Sequence, residues 1–214
     1  MRTLAPRSAE QLAELRRTWA ESRRVRINDA LVPDLARDLA LSATARPFHY
    51  FERHVNEVRA LFWRQTVAWD TAPSEFAPIA ALRHLIEVDL PALASAITGQ
   101  ALRAVQDQGV AFDLYTRGSY LDTHTDQGAE RLIAYVIGLT EDAWPAEDGG
   151  HLEFLAPDES TVLDRIPPGF GTIDLFCIYP LVRPHRVPIL TRQVTRLSVN
   201  GWLTGELVAP GERP

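Results

Sequence analysis

The spacing of hydrophobic residues differs between the two halves of the chain. Near the N-terminus, Ser8 and Gln11 have the spacing of a capping box, and the apolar residues that follow recur every three or four positions. This pattern predicts an amphipathic helix over residues 8–24. The alternation in Val25–Ile27 then predicts a short strand.

Two further helices are predicted before the middle of the chain. The first covers residues 28–42, where an asparagine and an aspartate at the start are suitable N-caps and leucines form an apolar stripe. The second covers residues 76–97 and is followed by Gly99, a typical C-terminal signal. Pro91 lies inside this second pattern, so we expect it to kink or split the helix.

From about residue 104 onward, short runs of β-branched and aromatic residues alternate with proline and glycine clusters. This texture is typical of an all-β sandwich or barrel. Two of the runs, Leu132–Leu139 and Ile173–Tyr179, are almost continuously apolar and are predicted to be inner strands. Residues 209–214 are predicted to be a frayed tail.

Composition limits the class of protein. The 214 residues are 46% hydrophobic and 23% charged, as in an ordinary globular domain. The net charge of −6 and the lack of a long basic run argue against nucleic acid as a partner. No apolar run approaches the ~20 residues that span a bilayer, and the N-terminus has no apolar signal core. Because Cys177 is the only cysteine, no internal disulfide can form, and we expect a cytoplasmic location without membrane partners.

The candidate chemistry is a metal site. Residues two apart on an extended strand point to the same face, so His124 and Asp126 can bind one ion together. With His185 as a third ligand, they would form the two-histidine, one-carboxylate set of non-haem Fe(II) oxygenases. His151 and Glu153 are also two apart on a predicted strand, and spacing alone does not decide between the two pairs.

Three ordered motifs resemble a known family. Tyr115–Asp126 is similar to the Y-x-x-G-x-x-L-x-x-H-x-D signature of Fe(II)/2-oxoglutarate dioxygenases of the prolyl-hydroxylase type. Gly149–Phe154 is similar to the G-G-x-L-x-F segment of that group, and Arg196–Trp202 to its R-x-S-x-x-x-W segment. The resemblance covers roughly residues 110–204.

The resemblance implies a fold. We expect a mainly β protein with N-terminal helices, in which a double-stranded β-helix, a jelly-roll or cupin-like barrel, is supported by α-helices packed outside. The whole chain, residues 1–214, is expected to be a single domain. Residues 1–103 would form a mainly helical support region, and residues 104–206 would form the jelly-roll core that carries the site.

The resemblance also assigns the metal ligands. His124, Asp126 and His185 are the expected catalytic residues and ligands of Fe(II). Related halogenases replace the carboxylate with a small residue so that chloride binds the iron. Because Asp126 is present, the resemblance favours hydroxylation over halogenation.

By the same resemblance, Arg196 is the expected anchor for the distal carboxylate of the cosubstrate 2-oxoglutarate. A guanidinium offers a two-pronged donor to a carboxylate, and the sequence contains no lysine that could replace it. Ser198 and Tyr115 are expected to add hydrogen bonds to the same carboxylate. Arg192 is the alternative anchor, but its spacing to Trp202 does not fit the motif.

The expected function is hydroxylation of an unactivated C–H bond of proline, another amino acid or a peptidyl residue. The expected cofactors are Fe(II), 2-oxoglutarate as cosubstrate, and dioxygen, and L-ascorbic acid is expected as an associated small molecule. Two alternatives stay open: a non-catalytic jelly-roll binding or sensor module, and a cupin-type metalloenzyme that uses His151 and Glu153. The substrate and the oligomeric state are not indicated by the sequence.

Overall fold

The computed structural model describes most of the chain. The described residues are 2–55, 58–67, 77–105, 110–128, 130–141 and 143–205. The first residue of the third predicted helix, Phe76, and the predicted tail, residues 209–214, lie outside these ranges.

The α-helices of the described residues lie in the first half of the chain, as predicted. Ser8 caps the first helix, where its hydroxyl accepts from the Gln11 N–H and the Gln11 side chain accepts from the Ser8 N–H, which confirms the capping box. In the described ranges no helix is both long and apolar enough to cross a bilayer. The helices are α1 (Ala9–Ser22), α2 (Pro33–Thr44), α3 (Ala77–His84) and α4 (Leu90–Thr98).

The second helix begins later than predicted. Asn28 and Asp29 do not cap it, because Asp29 has a positive φ of 47° and the next two residues are bonded elsewhere. The N–H groups of Ala30 and Leu31 both donate to the carbonyl of Gly171, at 2.7 and 3.0 Å. The helix therefore begins only at Pro33, whose fixed φ suits a first helical position.

The third predicted helix is split, as its proline indicated. Between α3 and α4 the backbone forms one π-helical turn, Leu85–Asp89, and Pro91 follows in the first turn of α4. Proline cannot donate a backbone hydrogen bond, so it is tolerated at this restart of the helix. Gly99 ends α4 with a φ of 74°, and its N–H donates to the carbonyl of Ser95.

Twelve described strands form one sheet in which all pairs are antiparallel. Its order is β1-β10-β7-β12-β5-β3-β6-β11-β8-β9, with β2 paired to β3 and β4 paired to β12. The strands are β1 (Arg24–Ile27), β2 (His49–Val55), β3 (Val58–Val67), β4 (Leu102–Ala104), β5 (Val110–Tyr115), β6 (Tyr120–His124), β7 (Ile133–Leu139), β8 (Leu152–Leu155), β9 (Val162–Ile166), β10 (Phe170–Cys177), β11 (His185–Val187) and β12 (Arg196–Gly205).

The sheet curls until its two ends meet. Arg24 of β1 forms an ion pair with Asp164 of β9, although these strands stand at opposite ends of the strand order. The rings of Phe154 on β8 and Phe176 on β10 also make an edge contact at 5.1 Å. These contacts enclose an interior, and the predicted jelly-roll barrel with outer helices is confirmed.

The described part of the first 103 residues contains the four α-helices but also supplies strands that the sequence pattern did not reveal. The hairpin of β2 and β3 was not predicted, yet β3 lies between β5 and β6 in the sheet. Successive residues of β3 such as Leu61, Phe62 and Trp63 are all large and apolar, so no clear alternation marks the strand. Whether the chain is one domain stays a prediction.

Both faces of the inner strands are buried, but in different surroundings. Ile133, Ile137 and Leu139 of β7 belong to the core between the sheet and the helices. Ala134 on the same strand instead packs in a cluster with Phe154 and Phe176 inside the barrel. Burial on two sides explains why the inner-strand runs are continuously apolar.

Replacing Ile137 with alanine tests the helix-facing core. Its side chain is fully buried (0% exposed), so Ile137→Ala is expected to lower the free energy of unfolding by about 2–5 kcal/mol. Leu163→Ala is the control, since Leu163 is 59% exposed and its truncation should cost less than about 0.5 kcal/mol. Chemical denaturation of both variants measures the difference, and equal effects would contradict this description of the core.

Candidate active site

The pairing of β6 with β11 brings two histidines face to face. His124 is the last residue of β6, His185 is the first residue of β11, and the two are direct cross-strand partners. Their ring centroids are 4.2 Å apart. Directly opposed residues of antiparallel strands have neighbouring side chains, so the two imidazoles share one site.

A β-bulge gives His124 its direction. His185 is paired with His124, whereas Val187, two positions later, is paired with Leu121, three positions earlier. The extra residue on β6 reverses the alternation of side chains along the strand. As a result Leu121, which packs with Val187 in an inner cluster, and His124 lie on the same side of the sheet.

Asp126 completes the cluster from the segment that follows β6. The strand ends at His124, so the predicted pair does not lie on one strand, but the side chains still meet. One carboxylate oxygen lies 3.5 Å from Nε2 of His124, and the other lies 3.5 Å from Nε2 of His185. Ligand atoms of the three residues all lie within 4.8 Å of one another, a spacing that one metal ion could bridge.

The backbone fixes which imidazole nitrogen faces this point. Nδ1 of His124 lies 2.9 Å from the carbonyl oxygen of Asp122, and Nδ1 of His185 lies 3.0 Å from that of Arg183. A carbonyl only accepts, so each Nδ1 must carry the proton in these bonds. Nε2 of each ring is therefore the nitrogen available to a metal, and the carbonyls hold the ring orientation.

The electrostatics of the cluster favour a cation between the three side chains. Burial alone would raise the pKa of Asp126, but its contacts with the two histidines lower that pKa far below its usual range. Burial alone would lower the pKa of His124, but the hydrogen bond and charge of Asp126 raise it. The carboxylate is thus ionised at neutral pH and attracts positive charge to the point where the three side chains meet.

Arg196 lies inside the barrel without a partner for its charge. It is 6% exposed, and no carboxylate of the described residues lies within 4.0 Å of it. Its guanidinium stacks on the Tyr115 ring at 4.8 Å, and its Nη1 atom is buried without a hydrogen-bond acceptor. Burial lowers the pKa of Arg196. Since an unpaired buried guanidinium is costly, this position is suited to an anionic ligand.

A small cavity, here called the anchor cavity, adjoins this guanidinium. Ser198 and Gly138 are cross-strand partners that line it. Ser198 is buried, and its hydroxyl accepts a hydrogen bond of 3.4 Å from the amide of Asn200, so its own proton is free to be donated. The anchor cavity is lined in part by Arg26, Gly138, Asp174, Arg196 and Ser198.

Two buried acid–arginine pairs near Arg196 were not found from the sequence. Asp113 is bound by Arg64, and Asp174 is bound by Arg26. The signal was present in each case, since both aspartates interrupt apolar strand runs. The sequence could not show which arginine would lie opposite each of them.

The competing residues are engaged elsewhere. Glu153 is buried, but its two carboxylate oxygens accept from Arg165 and Arg186, each at 2.8 Å. Neither Glu153 nor His151 takes part in a metal-binding cluster in the described part of the chain. Arg192, the alternative anchor, is half-exposed and paired with Asp148 at 2.8 Å. The cupin-type alternative is therefore not favoured.

A jelly-roll barrel with two histidines and a carboxylate brought together inside it has the architecture of the non-haem iron oxygenases. The family model of the 2OG-Fe(II) oxygenase superfamily matches residues 110–204. This range contains the whole cluster and Arg196. Residues 110–204 are therefore similar to that superfamily, whose name states its metal and its cosubstrate.

Two curated relatives are prolyl hydroxylases. The prolyl 3,4-dihydroxylase OGFOD1 of Ostreococcus tauri is 34% identical over 98 residues, which are 42% of this chain and 19% of that protein. The prolyl 3-hydroxylase OGFOD1 of Mus musculus is 28% identical over 131 residues, or 59% of this chain and 24% of that protein. The chain thus spans less than a quarter of the length of these relatives.

A solved structure extends the likeness to nearly the whole chain. The crystal structure of a Pseudomonas putida prolyl-4-hydroxylase superimposes with a TM-score of 0.66 and 22% identity. The superposition covers 91% of this chain and 99% of that one. The fold is thus shared with a prolyl hydroxylase over almost its full length.

Loss of a clustered side chain is expected to abolish tight metal binding. Asp126→Ala and His185→Ala should each weaken Mn(II) binding by more than about a hundredfold, since even outer-sphere partners of a metal ligand contribute tenfold to a hundredfold. Calorimetric titration of the metal-free protein measures this. Glu153→Gln is the matched control and should bind Mn(II) as the wild type does; the reverse pattern would transfer the metal site to Glu153.

Proposed function

We propose that the chain is an Fe(II)/2-oxoglutarate-dependent dioxygenase that hydroxylates a prolyl residue. One observation carries the proposal: the three-residue cluster and a buried guanidinium without an anionic partner lie inside the same barrel. A metal alone would explain the cluster, but only an acidic cosubstrate also explains Arg196.

In this proposal His124, Asp126 and His185 hold Fe(II) through the two Nε2 atoms and the carboxylate. Three protein ligands leave positions open for the keto-acid end of 2-oxoglutarate and for dioxygen. The carbonyl oxygens that accept from Nδ1 keep both imidazoles in the required tautomer.

Arg196 is proposed to neutralise the distal carboxylate of 2-oxoglutarate. Its unpaired Nη1 supplies a donor, and the Ser198 hydroxyl supplies a second one, because its proton is not used by Asn200. Tyr115 keeps the guanidinium in place by stacking and offers its phenol as a further donor. Burial raises the pKa of Tyr115, so its hydroxyl stays protonated.

When bound, Fe(II) with 2-oxoglutarate and dioxygen supplies oxidising chemistry in which one oxygen atom enters succinate, with loss of carbon dioxide, and the other enters the substrate as hydroxyl. The residues of the chain bind and orient the reactants and exclude water. Phe176 and Phe154 pack beside His185, with ring centroids at 5.0 and 6.0 Å, and keep that side of the cluster apolar. Asp126 keeps the carboxylate that related halogenases replace with a small residue, which supports hydroxylation.

The relatives support proline as the substrate side chain, since both are named as prolyl hydroxylases. A prolyl residue in a peptide or protein is our first candidate, ahead of free proline or another amino acid. The cytoplasmic location, the use of L-ascorbic acid and the organisation as a single domain stay predictions.

Anaerobic spectroscopy is the direct check on cosubstrate binding. Addition of 2-oxoglutarate to the Fe(II)-loaded protein should produce a visible charge-transfer band. Arg196→Leu should need at least about thirtyfold more 2-oxoglutarate for half of that band, because removing one member of a buried charge pair costs 2 kcal/mol or more. The His151→Ala variant should reach half of the band at the same concentration of 2-oxoglutarate as the wild type.

Turnover separates the oxygenase from a binding module. Succinate formation should be stimulated by a proline-containing peptide and should stop in Asp126→Ala. A protein that binds Fe(II) and 2-oxoglutarate but forms no succinate with any peptide or amino acid would be a sensor, and the proposed activity would be wrong.

A further inference from the structure

Two buried carboxylates flank Arg196, and each is held by a different arginine. Arg26 donates from Nε and Nη2 to the two oxygens of Asp174, both at 2.8 Å. Arg64 donates in the same way to Asp113, at 2.7 and 2.8 Å. Both aspartates are 3% exposed, so neither charge is neutralised by water.

We propose that Arg26 and Arg64 are positioning residues that keep these two aspartates from pairing with Arg196. The anchor then remains available to the distal carboxylate of 2-oxoglutarate. This inference rests on the proposed function, because it concerns the affinity of the same site for its cosubstrate.

Asp174 is the closer competitor by its place in the fold. It lines the anchor cavity together with Arg196 and Ser198, and so does Arg26. Arg26 and Asp174 are cross-strand partners on β1 and β10, which aligns the guanidinium fork with the carboxylate. Arg26 also donates to the carbonyl of Pro167 at 2.6 Å, which fixes its own position.

Removal of Arg26 would leave a buried carboxylate without a partner. Among the described residues, no other side chain donates to Asp174, and Arg196 shares its cavity. An uncompensated buried charge is costly, so the carboxylate and the free guanidinium would pair with each other. The cosubstrate would then have to displace an internal carboxylate, and its apparent affinity would fall with the fraction of Arg196 left free.

Asp113 is held by two of the described side chains, whereas Asp174 is held by one. Besides Arg64, the amide of Asn200 donates to Asp113 at 2.9 Å. Ser198 is its cross-strand partner, so Asp113 lies beside the anchor without lining the cavity itself. Loss of Arg64 should therefore weaken the binding of the cosubstrate less than loss of Arg26 does.

The test compares two 2-oxo acids that differ only in the distal group. Protein loaded with Mn(II) is titrated calorimetrically with 2-oxoglutarate and with 2-oxobutanoate, which keeps the keto-acid end but lacks the second carboxylate. Arg26→Ala should weaken the binding of 2-oxoglutarate by about tenfold or more, as expected if Arg196 is paired with Asp174 about nine-tenths of the time. Its affinity for 2-oxobutanoate should equal that of the wild type.

Restoration by a second substitution distinguishes competition from damage to the fold. Adding Asp174→Asn to Arg26→Ala removes the competing charge and should restore the affinity for 2-oxoglutarate. Arg26→Lys keeps a cation beside Asp174 but loses the two-pronged fork, so it should lower the affinity for 2-oxoglutarate less than Arg26→Ala does. Arg165→Ala is the matched control, because it also takes one arginine from a buried carboxylate, Glu153, and neither Arg165 nor Glu153 lines the anchor cavity.

Two results would overturn the inference: unchanged binding of 2-oxoglutarate in Arg26→Ala, or a loss that affects both 2-oxo acids equally and persists in the double variant. A wild type that binds the two 2-oxo acids equally well would instead contradict the proposed role of Arg196. Failure of the proposed function and failure of this inference therefore give different data.

Discussion

The register between β6 and β11 is the constraint on which the site depends. It sets two imidazoles directly opposite each other, and the bulge on β6 turns the first of them to the inner side. The bulged segment also supplies the carbonyl of Asp122 that holds this ring. One local irregularity thus determines the direction of His124.

The two faces of the main sheet carry opposite kinds of chemistry. The face toward the helices is apolar and supplies most of the buried hydrophobic surface. The inner face holds Arg196 and two acid–arginine pairs, an arrangement that costs stability unless every charge is matched. The helices therefore stabilise a barrel whose interior is organised for a charged ligand.

Much of this organisation could be predicted from the sequence, but the fold and the site were predicted from different kinds of signal. The capping box of α1, the split at Pro91 and the inner strands follow from local rules, and the structure has them. The predicted start of α2 was wrong because long-range hydrogen bonds to the carbonyl of Gly171 override the local cap signal. The ordered motifs led to His124, Asp126, His185 and Arg196, whereas the partners of Asp113 and Asp174 depend on strand order, which the pattern of one strand does not contain.

The pair between Arg26 and Asp174 has a consequence for how the molecule assembles. The two residues are 148 positions apart, and they meet only when a strand from the first 30 residues docks against β10. Such a contact of high sequence separation forms late and slowly. A ligand that binds only after this docking adds its binding free energy to that of the closed barrel. The supply of the cosubstrate would then govern how firmly β1 is held against β10.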